Sequence, residues 1–357
     1  MPLQLSKHSR TRQRPNPALD PPSFFSDIHH HWSRSASTAA RNIKMAVAGT
    51  LAWLQPYADE YGVHHLPAHV PTIVRSALLW FAIQTLSSQV SPRFFPKTFS
   101  KFNRKTRISW DIHVVSFVHA ALITPLAARI WWKARQTNAL GFQTHSLAVD
   151  RLYGYDHEAA SVYAIALGYF VWDSVISILH EGPGFIAHGL VALIAFTLVY
   201  HPVFMYDGLG FLLWELSTPF LNIHWFLDKL GKTGSKWQLI NAVFLLSAYV
   251  GARLTFGVYN SFSFFKFVVA PPKPHHPTIP GHIKAFYMVG NVILNSLNFF
   301  WFRAMIRAIQ KRFSVKPEDA KVSKVIRGEQ KVEVGVKGKD DEEFWREAGA
   351  KKGGKAQ

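Results

Sequence analysis

Apolar runs of about 20 residues alternate with short polar stretches through the middle of this chain. A helix of that length is enough to cross the hydrocarbon core of a membrane. Seven such segments can be drawn, and the sixth extends in apolar character through Val268; they lie at about 70–90, 110–131, 159–179, 185–200, 203–222, 239–256 and 283–306. The pattern predicts an all-α fold, a polytopic transmembrane helical bundle of about six to seven spans. It leaves open whether the fourth and fifth segments both cross.

The two ends of the chain are polar and basic, and they divide the chain into four predicted regions. Residues 1–69 read as a basic N-terminal tail that is mostly disordered. Residues 70–106 hold the first span and a basic cytosolic loop, and residues 107–310 hold the main membrane domain. Residues 311–357 read as a disordered, Lys-rich cytosolic tail.

Charge sets the predicted orientation. The formal net charge is +18, and the loop after the first span carries six basic residues and no acid: Arg93, Lys97, Lys101, Arg104, Lys105 and Arg107. Basic loops stay on the cytosolic side of a membrane. With seven spans, this rule puts the N-terminus in the lumen and the C-terminus in the cytosol. Because the basic residues flank apolar spans, they indicate membrane headgroups rather than nucleic acid as partners.

Several polar side chains interrupt the apolar segments, and they form the default site hypothesis because such groups are costly in a membrane. His188 and Glu215 are the candidate catalytic pair, with the imidazole as base and the carboxylate orienting it. Candidate substrate-binding residues share a polar side chain within a span: Asp173, His119, Ser116, Ser217 and Asn222. The alternative is a buried polar network that only holds helices together, at roughly 0.6 kcal/mol per contact.

Other classes of protein are disfavoured by what the chain lacks. It has no cysteine, which excludes disulfides, thiolate catalysis and Cys-ligated metals. The His-rich boxes of membrane di-iron hydroxylases and a P-loop are also absent. No metal site and no cofactor are expected, and no secretory signal peptide is visible in residues 1–45.

Four separated motifs carry a resemblance to a known family. They are Ser-Phe-Val-His at 116–119, Gly-Tyr-Phe-Val-Trp-Asp at 168–173, Phe-Ile-Ala-His at 185–188, and Trp-Glu-Leu-Ser-Thr-Pro-Phe-Leu-Asn-Ile-His-Trp-Phe-Leu at 214–227. In this order they resemble the TLC domain, the membrane domain of translocating-chain-associated membrane protein, the longevity-assurance ceramide synthases and the ceroid-lipofuscinosis membrane protein. The Glu-Leu-Ser-Thr-Pro-Phe stretch is most similar to the branch of TLC domain-containing protein 4, also called transmembrane protein 56.

The resemblance implies a role in membrane lipid metabolism or homeostasis, in the endoplasmic reticulum. The first reading is that the chain binds or senses membrane lipid in a cavity between helices, without chemistry. An acyl-CoA-dependent acyltransferase of the ceramide synthase type, using acyl-CoA and a sphingoid base, is the second reading. Ala187 stands where the family carries the first His of a pair, and Trp214-Glu215 stands where ceramide synthases carry His-Asp, which weakens that reading. A third reading is a trafficking adaptor that binds client proteins through its C-terminal tail.

Overall fold

The computed structural model describes residues 49, 51–141, 145–201, 203–270 and 278–313. From Trp53 onward, the described residues form one compact unit. The predicted disorder of the two tails, and the client-binding role of the second, concern residues that lie outside the described part of the chain. The predicted N-terminal region of 1–69 enters the described part near its end, where residues 53–60 are helical and the first long helix begins at Leu66.

All regular structure in the described residues is helical. The helices are α1 Leu66–Phe94, α2 Pro96–Phe99, α3 Arg104–Ala139, α4 Ser146–Val149, α5 His157–His180, α6 Pro183–Leu198, α7 Met205–Leu212, a 3₁₀ helix Leu213–Ser217, α8 Thr218–Lys229, α9 Lys236–Ala248, a π-helical segment Tyr249–Phe256, α10 Gly257–Val269 and α11 Gly281–Phe313. The prediction of an all-α helical bundle is confirmed.

Four of the described helices are long and apolar enough to cross a membrane: Leu66–Phe94, Arg104–Gln136, His157–His180 and Lys236–Val269. The last of these confirms that the sixth predicted segment continues beyond Phe256, because α9, the π segment and α10 run without a break. The fourth predicted span corresponds to α6, a shorter apolar helix of 16 residues. The fifth is not one regular helix, because α7, the 3₁₀ helix and α8 divide it.

Close packing of α1 against α5 fixes the direction in which α5 presents its polar residues. Ser76 donates a hydrogen bond to the backbone oxygen of Ile165 at 2.8 Å, and the Trp172 indole donates to Gln84 at 2.8 Å. Gly168 lies between these contacts, where a Cβ would be 2.5 Å from the Cβ of Ser76 and 2.6 Å from the oxygen of Ile73. Glycine is therefore required for the helices to approach this closely.

Two irregular segments lie side by side inside the bundle. The 3₁₀ helix Leu213–Ser217 contacts the π segment Tyr249–Phe256. In a membrane, irregular backbone is tolerated where it is buried in protein or lines a cavity, since lipid cannot satisfy its polar groups. The position of these segments therefore indicates where a cavity lies.

We predict that Gly168→Ala lowers the stability of the folded protein by about 1–3 kcal/mol, the usual cost of overpacking a close contact. Gly251→Ala is the matched control, because a Cβ at Gly251 meets nothing within 4 Å. The measurement is the thermal unfolding midpoint of each variant in detergent. Equal midpoints for the two variants would show that the α1–α5 contact does not require glycine.

Candidate functional site

A polar cavity with an empty volume of about 1010 Å³ lies among α3, α5, α6, the 3₁₀ helix, α8, the π segment and α11. Five of the seven sequence-predicted site residues line it: Ser116, Asp173, His188, Glu215 and Asn222. The first and last of these residues are more than 100 positions apart in the chain, and folding brings all five to one cavity. The predicted site residues are therefore largely neighbours in space, while their chemical roles remain predictions.

An apolar cavity with an empty volume of about 780 Å³ adjoins the polar one. Its walls are mostly aromatic and aliphatic, and small residues such as Ala195 and Gly290 leave the space between them. His188 and Glu215 line both cavities. The two side chains proposed as a catalytic pair therefore stand at the boundary between a polar chamber and an apolar one.

Arg253 organises the polar chamber from the π segment. It is 6% exposed, and its Nε donates to Ser217 at 2.9 Å. Its two other nitrogens donate to Thr218 and Asn298, each at 3.1 Å. The Glu215 carboxylate lies 3.9 Å from the same guanidinium. The carboxylate of the candidate pair thus has a buried cation as its charge partner.

Asp173 contributes a carboxylate that no described side chain neutralises. Its position depends on a glycine of the neighbouring helix, because a Cβ at Gly189 would lie 2.8 Å from Asp173 Oδ2. No hydrogen bond or ion pair joins Asp173 to another described side chain. Its oxygens are consequently available to a molecule in the polar chamber.

His188 lies in the second turn of α6, where Pro183 begins the helix. The rings of Phe170 and Trp301 flank it, with centroids 6.3 Å and 5.7 Å away. Within the described part of the chain its nitrogens make no hydrogen bond, and none connects it to Glu215. The imidazole is held by ring packing, which leaves its nitrogens free to meet a ligand.

The remaining predicted residues, His119 and Ser217, lie behind the cavity walls. His119 is fully buried and stacks on Tyr169 with ring centroids 3.6 Å apart. Tyr169 lines the polar chamber in its place. Ser217 is 2% exposed and accepts the bond from Arg253 described above. Both residues support the site from outside it.

Asn222 and Ser116 form a polar contact across the chamber wall. The Asn222 side-chain nitrogen donates to Ser116 Oγ at 3.2 Å, which joins α8 to α3. This arrangement satisfies part of the polar wall internally, so Asp173 and His188 are the groups most available to a ligand.

Sequence reasoning missed Arg253 and did not select Glu181 as a site residue, yet both line the polar chamber. A basic residue inside an apolar segment was a usable signal for Arg253. Glu181 follows α5 directly and precedes Gly182, the N-cap of α6. Burial raises the pKa of Glu181 to about 7, although the charge of Lys105 acts in the opposite direction. This carboxyl therefore changes charge near neutral pH.

Metal binding has no obvious place in this arrangement. Among the residues the structure describes, no group of three or more His, Asp or Glu side chains could hold a metal ion. The chamber instead offers carboxylates, an imidazole, a guanidinium and an amide. These groups suit hydrogen bonding and acid–base chemistry with an organic ligand.

Comparison with known proteins identifies a matching family model and several relatives of this chain. A family model described as the TLC domain matches residues 109–307. An uncharacterised TLC domain-containing protein of Schizosaccharomyces pombe is 37% identical over 73% of this chain and 85% of its own length. TLC domain-containing protein 4 of Homo sapiens is 27% identical over 69% of this chain and 89% of its own. TLC domain-containing protein 4-A of Xenopus laevis is 25% identical over 69% of this chain and 93% of its own length.

Removing the Arg253 charge should destabilise the fold. We predict that Arg253→Met lowers stability by about 3–5 kcal/mol, because it leaves the buried Glu215 without its cation. The double variant Arg253→Met with Glu215→Gln should recover part of that loss. Thermal unfolding midpoints of the two single variants and the double variant form a cycle that measures the coupling. Strictly additive effects would show that the two side chains do not interact.

The raised pKa of Glu181 predicts a pH dependence. Between about pH 4.5 and 7 the folded state retains a proton that the unfolded state has lost, so stability falls as pH rises through this window. Glu181→Gln should remove this slope, worth at most about 3 kcal/mol. The check is the difference in unfolding midpoint between wild type and variant from pH 4.5 to 8. Exposed Glu60→Gln is the control, and a constant difference across that range would contradict the assignment.

Proposed function

The chain belongs to the TLC domain family of membrane proteins, as its motifs predicted, and we propose that it binds a single membrane lipid between its helices. In this proposal it acts in membrane lipid metabolism or homeostasis, by binding or sensing that lipid. The supporting observation is the pair of adjoining cavities, one polar and one apolar, that share His188 and Glu215. A lipid has the same two-part chemistry, with its headgroup in one chamber and its acyl chain in the other.

The charges of the polar chamber indicate what kind of headgroup fits. The Arg253 guanidinium is matched by Glu215 and by three neutral acceptors. Asp173 has no cationic partner among the described residues, and Glu181 adds a second carboxyl to the wall. Excess acceptor groups favour a ligand that donates hydrogen bonds. We therefore propose a headgroup with hydroxyl or amine groups, such as a sphingoid base or a glycerolipid with free hydroxyls.

The acyltransferase reading uses the same chamber in another way. His188 would take a proton from the acceptor of an acyl group carried on acyl-CoA, and Glu215 would orient the imidazole. That role needs the carboxylate to contact the ring, whereas the Glu215 carboxylate faces the Arg253 guanidinium at 3.9 Å. This contact favours lipid binding over acyl transfer. No described residue bears on the trafficking reading, which depends on the C-terminal tail.

Location and orientation follow as parts of the proposal. The basic loop residues between α1 and α3 stand at the same end of the bundle as the polar chamber, since Ile112 and Ser116 near the start of α3 line it. The positive-inside rule puts this end at the cytosolic surface. We propose a protein of the endoplasmic reticulum membrane with a cytosolic C-terminus, whose headgroup chamber lies toward the cytosol.

Filling the apolar chamber should displace the lipid. We predict that Ala195→Phe reduces co-purified lipid severalfold, because Ala195 lines this chamber and the added ring occupies the acyl space. Ile194→Phe is the matched control. Ile194 is the neighbour of Ala195 on the same helix, is 45% exposed and does not line the chamber. The measurement is lipid per protein, by mass spectrometry of extracts of purified full-length protein. Equal lipid content in both variants would count against the proposal.

A companion assay separates binding from chemistry. The purified protein is incubated with long-chain acyl-CoA and either a sphingoid base or a glycerolipid, and free CoA is measured. Lipid binding alone predicts no CoA release above background for wild type or for His188→Ala, with lipid content lowered in His188→Ala and Asp173→Asn. CoA release that disappears in His188→Ala would instead establish the acyltransferase reading.

A further inference from the structure

A separate cavity with an empty volume of about 640 Å³ lies near the opposite end of the bundle. It is formed by the last part of α3, Arg151 in the loop between α4 and α5, the start of α7 and the region around α10. Arg135 and Ser116, both on α3, are 19 positions apart, which corresponds to roughly 28 Å of helix rise. This cavity is therefore distinct from the lipid chamber proposed above.

One arginine of this cavity is held by an ion pair, a hydrogen bond and ring contacts with other residues of the protein. Arg151 forms a two-pronged ion pair with Asp207, a residue that is 1% exposed, and its Nη2 donates to Ser263 at 3.1 Å. Its guanidinium also lies over the rings of Tyr206 and Phe267, at 4.8 Å and 4.3 Å. These contacts fix Arg151 in position, and its guanidinium neutralises the charge of Asp207.

The second arginine has no such partner. The Arg135 guanidinium lies 5.2 Å from the Trp131 ring, and it makes no hydrogen bond or ion pair with any described residue. The neighbouring residues outside the described side chains, 137–139 and 142–144, include no acid. With Asp207 matched by Arg151, the lining of the cavity therefore carries one positive charge in excess. A cavity of this kind attracts an anion.

We propose that this cavity binds a phosphate-bearing anion, the headgroup of an acidic phospholipid. The planar arginine fork matches two phosphate oxygens, which makes arginine the preferred residue for this group. Arg135 lies four residues before the end of α3, close to the depth where lipid phosphates occur. Basic pockets between membrane helices bind acidic headgroups on the cytoplasmic side, and this cavity offers the same chemistry at the opposite end of the bundle.

The aromatic lining argues against a choline headgroup. Quaternary ammonium groups bind over the faces of aromatic rings. Here the protein's own guanidinium groups lie over Trp131 and Tyr206. A choline would compete with cations that are already in place, and no free carboxylate would compensate it. The cavity should therefore prefer a net anionic headgroup over a zwitterionic one.

The test uses purified full-length protein in neutral detergent and three short-chain probes. Dihexanoyl phosphatidic acid, dihexanoyl phosphatidylcholine and dihexanoyl glycerol are titrated separately, and bound molecules are counted by native mass spectrometry. The proposal predicts saturable binding of the phosphatidic acid, at least tenfold tighter than that of the other two. Equal affinity for phosphatidylcholine or for the glycerol would overturn it.

Variants then assign the site. Arg135→Ala should weaken phosphatidic acid binding roughly tenfold to a hundredfold, the loss of a charged hydrogen-bonded contact, and Arg135→Lys should weaken it less. Arg75→Ala is the control, because this exposed arginine donates to Pro71 and Thr72 of its own helix and to no other residue that the structure describes. Equal losses in Arg75→Ala and Arg135→Ala would overturn the assignment. Arg135→Ala avoids the folding defect expected of Arg151→Ala, which would strand the buried Asp207.

A competition arm identifies the source of the phosphate. Inorganic phosphate is added to the complex of the wild-type protein with phosphatidic acid. Displacement at millimolar concentration supports a site that also accepts the free anion. Retention of the lipid, together with the loss in Arg135→Ala, supports a site that takes the phosphate as part of a lipid headgroup.

Discussion

A buried charge, the Arg253 guanidinium, is the constraint on which the candidate site depends. A cation within a membrane segment costs roughly 2.5–3.5 kcal/mol on insertion scales, so it persists where the protein satisfies it. Arg253 is satisfied by partners from three elements: Glu215 and Ser217 of the 3₁₀ helix, Thr218 of α8 and Asn298 of α11. One side chain thereby ties these elements together around the polar chamber.

The irregular backbone around Arg253 follows from the same constraint. A π-helical turn changes the direction of the side chains that follow it, and such turns recur at functional sites. The 3₁₀ helix beside it ends at Ser217, and α8 begins at Thr218 with Pro219 in its first turn, where no backbone donor is needed. Two regular helices at this position would pack more closely and leave less space between them. The departure from regularity leaves room for a chamber and brings Glu215 to its wall.

Much of the site could be predicted from the sequence because the signal was local. Asp173, His188, Glu215 and Asn222 interrupt apolar runs, and a polar group inside such a run generally faces the interior of a bundle. His119 carried the same signal and is indeed buried, yet Tyr169 of another helix stacks on it and separates it from the chamber. The hydrophobic pattern of one sequence does not show which aromatic ring will lie between a side chain and a cavity.

The missed residues depend on tertiary packing in a similar way. Glu181 comes after the last residue of α5 and beside a turn, features that are typical of an exposed surface. It is half-buried because the chamber extends to the end of the bundle at that point. The division of the fifth predicted span into three helices was equally hidden, since apolar composition alone does not distinguish a regular helix from an interrupted one.

The two charged cavities are connected by one continuous stretch of helix, Lys236–Val269. Arg253 lines the polar chamber and Phe256 lines the Arg135 cavity, and both belong to the π segment. Coupling between distant sites requires an element that both of them bias. The π segment and α3 are candidates for such an element, because residues of each line both cavities. An acidic lipid at one end and a hydrogen-bond-donating lipid at the other would then bind to a shared structural element, although their chemistries differ.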